Sequence, residues 1–231
     1  MDYLTPDFLM GLSLFSNVKP QTIAEIVSNG RIQYYKADQS IFFDKDILSY
    51  IYFVLDGNAC LYKTHASGQN KVIFILSKGD LLNESLSDEL PSAINCKAYN
   101  DCVLLMIHKK TFLNLMQSDP ILMENILNAF SKRIRRLYRQ LKNSTSVIKM
   151  EKKLAAKLWK LSKDYGVPCE QGVLVNFPIT ITSLADFLGS YRETISRALK
   201  ILIHNELVIY QNKYIIIPDP DKLSLYFKSQ S

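Results

Sequence analysis

Two hydrophobic periods divide the chain. Up to about residue 115, apolar residues come in short blocks rich in aromatic and β-branched side chains: Ile51–Leu55, Ala59–Lys63, Val72–Leu76 and Cys102–Ile107. Turn signals fall between them at Asp56-Gly57-Asn58, Ser67–Asn70 and Lys78-Gly79-Asp80. Short strands at a spacing of roughly ten residues predict a small barrel, roll or sandwich. A helix near Pro20–Ser28 is expected ahead of it.

From Asp119-Pro120 the period lengthens. Met123, Leu127, Phe130, Ile134, Leu137 and Leu141 follow at alternating steps of four and three, a heptad seam. Asp119 suits the N-cap and Pro120 the first turn. Lys132, Arg133, Arg135, Arg136, Arg139 and Lys142 lie off the seam. So narrow a stripe packs either on the preceding β-rich part or on a second copy of itself. With a domain on each side of it, homodimerisation is the expectation. The small polar run Asn143–Ser146 reads as a hinge.

Beyond the hinge, Met150–Leu161 is amphipathic, with Leu154, Leu158 and Leu161 on one side. A loop is expected from Tyr165 to Gly172 and a strand over Val173–Phe177. Thr180 then suits the N-cap of a short helix that buries Leu184, Ala185 and Leu188, and Gly189 permits the left-handed turn that ends it. Ser190 with Glu193 has the capping-box spacing that opens a second helix, so the segment has a helix-turn-helix plan. On that second helix Ile195, Ala198, Leu199 and Leu202 share one arc. Arg192, Glu193, Ser196, Arg197 and Lys200 share the opposite one. Arginine, glutamate and serine are the side chains that read base edges, although an exposed amphipathic face can carry the same residues. Glu206–Tyr210, the turn Gln211–Lys213 and Tyr214–Ile217 read as a hairpin, a wing with Lys213 at its tip.

Charge supports this reading without deciding it. The net charge is +6, and Ser144–Ser231 carries 12 basic residues against 8 acidic ones. A basic third of the chain attracts a polyanion. No run approaches the roughly 20 apolar residues that span a bilayer, and Met1–Pro6 has an acid and no basic segment ahead of an apolar stretch, so no secretory signal is expected. Four cysteines without a C-x-x-C pair argue against a zinc ribbon or disulfide framework and fit a reducing cytoplasm. No paired catalytic carboxylates, phosphate loop or metal-ligand spacing appears, so no enzyme, no metal and no cofactor are expected.

Ser190–Arg197 resembles the recognition helix of the cyclic-AMP receptor protein / fumarate-nitrate regulator (Crp/Fnr) family of bacterial transcription factors. The resemblance covers nearly the whole chain and implies an α+β architecture. Its parts would be a cyclic-nucleotide-binding-like β-roll (1–118), a dimerisation helix and hinge (119–145) and a winged helix-turn-helix (146–231). It implies that Arg192, Glu193, Ser196 and Arg197 read bases of an inverted repeat with a T-G-A-containing half-site, and that RNA polymerase is a partner. Thr180, Thr182, Lys200 and Lys213 are the expected backbone contacts. Tyr191 departs from the family, which carries Ser or Thr there.

The family's cyclic-nucleotide cassette is incomplete. Glu84 survives, but Asn83 replaces its glycine and Ser92-Ala93 stands where Arg-Ser would pair with the cyclic phosphate. The hydroxyl pair that would meet the adenine is Leu137-Tyr138. Without the bidentate arginine an anionic cyclic phosphate loses its strongest contact, so cyclic AMP is not the expected effector. An iron–sulfur sensor needs an N-terminal cysteine cluster, and no cysteine precedes Cys60. His65 and His108 read as surface or satisfied histidines, and His204, at the C-terminal end of the second helix, as facing that helix's dipole. Glu84, Ser85, Ser92, Asn95, Arg135 and Arg136 are the candidate pocket residues for another effector. The expectation is a homodimeric, sequence-specific, cytoplasmic DNA-binding regulator. Two alternatives stay open: regulation without any effector, and a winged helix that binds a protein partner.

Overall fold

A computed structural model describes residues 3–66, 68–87, 89–144 and 149–229. By its internal contacts the chain divides into two units, Met1–Lys63 with Ile73–Thr145, and Thr64–Val72 with Ser146–Ser231.

The first unit opens with α1 (Pro6–Met10), a 3-10 turn at Ser13–Phe15 and α2 (Pro20–Asn29). Seven strands follow: β1 (Arg31–Tyr35), β2 (Ser40–Phe42), β3 (Tyr50–Asp56), β4 (Asn58–Thr64), β5 (Asn70–Ser77), β6 (Asn95–Ala98) and β7 (Cys102–His108). They form two sheets, ordered β1-β7-β3 and β2-β6-β4-β5; the short apolar blocks of the sequence fall on β3, β4, β5 and β7, while β1, β2 and β6 lie outside them. Alternation along β3 and β7 sends Phe53 and Leu105 to one face and Val54 and Leu104 to the other. One face packs on the helices, with Phe15, Ile23, Ile26 and Phe112; the other closes on Phe74, Leu61 and Cys96 of the second sheet. Gly57, at φ +72°, turns β3 into β4 where a Cβ would run into the Asp101 carbonyl.

Two helices close this unit, α3 (Lys109–Ser118) and α4 (Pro120–Ser144). Asp119 caps α4 as its position predicts: Oδ1 accepts the N–H groups of Ile121 and Leu122 at 3.1 and 3.4 Å. Leu122 and Ile126 are fully buried in the core below. The expected hinge begins inside α4, whose last residue is Ser144; residues 145–148 lie outside the described ones.

The second unit contains α5 (Met150–Tyr165), β8 (Gly166–Cys169), β9 (Gly172–Val175), α6 (Ile181–Leu188), α7 (Arg192–His204), β10 (Ile209–Gln211), β11 (Tyr214–Ile217) and α8 (Pro220–Lys228). Leu154, Leu158, Leu184, Ile195, Leu199, Leu202 and Leu223 make its core. The strands form one antiparallel sheet in the order β10-β11-β9-β8. Three expectations are corrected here. The expected loop at Tyr165–Gly172 carries β8, an edge strand, which tolerates Pro168 because its outer side needs no ladder partner. The strand expected over Val173–Phe177 ends at Val175. The strand expected from Glu206 starts at Ile209, because Glu206 takes φ +55° at the end of α7.

Cys60, Cys96 and Cys102 are buried in the roll, and Cys169 is exposed at the end of β8. Among the described residues no helix is long and apolar enough to cross a membrane.

Candidate DNA-reading surface and effector seat

The helix-turn-helix is assembled by local chemistry. Thr180 Oγ1 accepts the Ser183 N–H at 3.0 Å and opens α6, and Gly189, at φ 60° and ψ 47°, closes it in the left-handed conformation. The register of the next cap differs from the expected one. Tyr191, rather than Ser190, is the N-cap of α7 and gives no side-chain cap bond. Glu193 is thereby free of the capping box and faces Arg197 instead, with Oε2 3.7 Å from Nη2.

The apolar arc of α7 is buried as expected through Ile195, Ala198, Leu199 and Leu202. Arg192, Glu193, Arg197 and Lys200 are exposed on the opposite arc, with Ser196 half-buried between them. Arg197 and Glu193 are 81% and 87% exposed, so water screens their attraction and both heads stay available to a ligand. Thr182 is exposed; the Thr180 hydroxyl is committed to the cap.

The wing is tied to the start of the helix-turn-helix by one main-chain bond and one side-chain bond. Asn212 and Lys213 both take positive φ, 50° and 67°, in the tight turn between β10 and β11, and the Lys213 side chain is exposed. The Ile179 N–H donates to the Lys213 carbonyl at 2.6 Å, and Tyr210 Oη donates to the Ile179 carbonyl at 3.1 Å. Both polar groups of the residue before Thr180 are thus held by the hairpin.

In the first unit two of the expected pocket residues, Glu84 and Ser92, turn toward one another. Glu84 Oε1 accepts the Ser92 hydroxyl at 3.0 Å and the Ala93 N–H at 2.6 Å. Glu84 Oε2 is buried without a hydrogen bond from any described residue. Asn95, at the start of β6, accepts the Asp44 N–H and donates to the Tyr62 carbonyl of β4. Ser85 is half-buried.

The two expected arginines lie in different places. Arg135 lies on the outside of α4, and Arg136 lies over the Phe74 ring at 4.9 Å. Arg133, not among the expected residues, also reaches inward. Its Nη1 donates to the Asn83 and Leu82 carbonyls at 2.9 and 3.4 Å, and its Nη2 to the Leu81 carbonyl. Burial pulls its pKa below the ordinary arginine value, opposed by the charges of Asp80 and Glu84. Burial likewise pushes the Asp80 carboxyl up, opposed by hydrogen bonds from Ser77 and by Arg133 and Arg136. Six basic residues cluster along α4 in the sequence, and periodicity alone does not single out Arg133.

The expected seam also divides. Met123 and Phe130 pack against the core of the first unit, whereas Leu127, Ile134, Leu137 and Leu141 are exposed. Tyr138, 67% exposed, joins them, so the open stripe is turned toward Tyr138.

Comparison with known proteins matches these two parts separately. Residues 32–119 match the cyclic nucleotide-binding domain and residues 152–226 the Crp-like helix-turn-helix domain. The chain is 28% identical over 201 residues to the cyclic AMP receptor protein of Thermus thermophilus, covering 87% of this chain and 89% of that one. It is 25% identical to the global nitrogen regulator of Nostoc sp. over 85% of this chain and 89% of that one. Among solved structures, the c-di-GMP responsive global regulator CLP of Xanthomonas campestris shares the fold, with TM-score 0.75, 19% identity and coverage of 87% and 100%. A β-roll sensor fold followed by a helix-turn-helix defines a two-domain transcriptional regulator with a DNA-binding domain. The chain belongs to the Crp/Fnr family of transcription factors.

Proposed function

We propose that this regulator works as a cytoplasmic homodimer, paired through α4, that reads an inverted-repeat operator and does not answer to cyclic AMP. The observation that carries the reading is the exposed arc of α7, where Arg192, Glu193 and Arg197 stand clear of the core with Ser196 among them. Arginine pairs bidentately with guanine O6 and N7, and glutamate accepts from cytosine N4. Lys200, Thr182 and Lys213 flank this arc as contacts to the DNA backbone. A two-fold pair of such helices meets half-sites roughly 34 Å apart on one face of the duplex, which requires an inverted repeat. RNA polymerase is the partner the family suggests. The effector reading rests on Glu84, which already occupies the Ser92 and Ala93 donors of its seat.

Selection of bound duplexes from a random pool tests the proposal. An inverted repeat is the expected product. A selected pool without two-fold symmetry, or none at all, would overturn it.

A further inference from the structure

Arg133 is a costly residue to place under a helix. Its guanidinium is desolvated, and no carboxylate of a described residue lies within ion-pair distance of it. Among the described residues its hydrogen bonds go to three consecutive carbonyls, those of Leu81, Leu82 and Asn83. Those carbonyls belong to a fixed segment. The Val54 N–H donates to the Asp80 carbonyl and the Leu82 N–H to the Tyr52 carbonyl, while Asn83 Oδ1 accepts the Tyr52 N–H and its Nδ2 donates to the Tyr50 carbonyl. The segment is therefore an extra edge on β3, and the arginine fork completes its outer side. The guanidinium also sits 5.8 Å from the Phe130 ring and 6.0 Å from the Phe74 ring. A half-buried polar group held this way adds little net stability compared with an apolar side chain, and its best-attested use is to fix register.

The helix around it is divided by this contact. At ~100° per residue, Leu122, Ile126, Ala129, Phe130, Arg136, Leu137 and Gln140 fall within about 60° of Arg133, and all are turned toward the roll except Leu137 and Gln140, which are exposed. Even there, Gln140 Nε2 donates to the Ile73 carbonyl at 2.9 Å. Leu127, Ile134, Tyr138 and Leu141 fall about 80–140° round from it, on the open side. The fork bonded to that edge lies beyond the buried Leu122 and Ile126 along α4, where the helix's facing residues are Phe130 and Arg136 and its rotation decides which side chains face outward.

We propose that Arg133 is a positioning residue that fixes the rotation of α4 against the roll, so that Ile134 rather than Leu137 lies at the centre of the face offered to a second copy. The inference rests on α4 being the dimer helix. It requires no effector, since the fork is satisfied by the chain itself.

Oxidative cross-linking reads the rotation directly. In a Cys169→Ser chain, where the remaining thiols are buried, single Ile134→Cys and Leu137→Cys variants are compared with and without Arg133→Met. With Arg133 present, the Ile134→Cys chain is expected to form the disulfide dimer in clear preference to the Leu137→Cys chain. With Arg133→Met the preference is expected to be lost, while circular dichroism keeps the native helix and strand signal. Arg133→Lys, which keeps the charge but not the fork, is expected to lose the preference too and serves if the methionine variant does not fold. An unchanged preference in either folded variant would overturn the role of Arg133. Failure of both single-cysteine chains to cross-link with Arg133 intact would overturn the α4 dimer itself.

Discussion

The Ala93 N–H donates to Glu84 Oε1 at 2.6 Å, on the turn that leads into β6. The Ser92 hydroxyl joins it on the same oxygen. Two donors suited to a small anion are therefore engaged by a carboxylate of the chain, and no arginine stands at Ser92 to bring in another. Isothermal titration calorimetry with cyclic AMP should show no binding in the micromolar range. A micromolar dissociation constant would show that Glu84 yields its place.

The open stripe of α4 predicts a single-site disruption of assembly. Ile134 is 47% exposed in the isolated chain, with Leu127 and Leu141 one heptad away on either side. Burying one such side chain contributes roughly 1.5–3 kcal/mol, and a two-fold axis counts it twice. Ile134→Glu should sediment as a monomer at concentrations where the parent is a dimer. Continued sedimentation as a dimer would move the interface elsewhere.

Arg197 and Lys213 should fail in different ways when removed. Loss of one bidentate base contact costs about 1–3 kcal/mol and relaxes preference at one base pair. Arg197→Ala should therefore lose affinity for the selected operator more than for a base-substituted one. Lys213→Ala should weaken both alike and shallow the slope of log affinity against log salt by about one. Fluorescence anisotropy across a salt series separates them. Equal losses on both duplexes for Arg197→Ala would remove it from base reading.

Asp119 predicts an acid-sensitive joint. Burial pushes its carboxyl up, but bonds from Lys19, Thr22, Leu122 and Ile121 outweigh this and hold it below the ordinary aspartate value. Its folded pKa is depressed, so the stability it contributes is present above the unfolded value of about 3.9 and is lost as pH falls through the folded one. Asp119→Ala should cost about 1–3 kcal/mol near neutrality. Urea unfolding at a series of pH values should show that difference shrinking below about pH 4. A constant difference would mean that the carboxylate charge is not what matters.

Much of this was legible from periodicity because it is local. The amphipathic split of α7 needs only the helical repeat, and Thr180, Gly189 and Asp119 declare helix ends through their own chemistry. Where two partners compete for one helix, the pattern is ambiguous. Met123 and Phe130 keep the heptad step yet are half-buried in the first unit's core, and Tyr138 breaks the step yet lies in the open stripe. Arg133 looks like its basic neighbours until Leu81–Asn83 are in place. The short helix α8 did carry a readable signal, an Asp-Pro start like that of α4: Asp219 Oδ1 accepts the N–H groups of Asp221 and Lys222 at 2.8 and 3.0 Å. Tyr191 displaced the expected Ser190 cap by one residue, a shift that a capping-box spacing cannot exclude.

The four thiols give the molecule an internal gauge of its own opening. Burial pushes the Cys96 thiol well up and the Cys102 thiol to about 11, so neither forms appreciable thiolate near neutrality. Cys169 alone is exposed. Brief alkylation of the native chain should thus add one adduct, in the winged helix. Every further adduct must wait for the roll to open, because Cys60, Cys96 and Cys102 all lie inside it. The rate at which a second mass increment appears is then a measure of local unfolding in the sensor half alone, read on the intact protein and without denaturant.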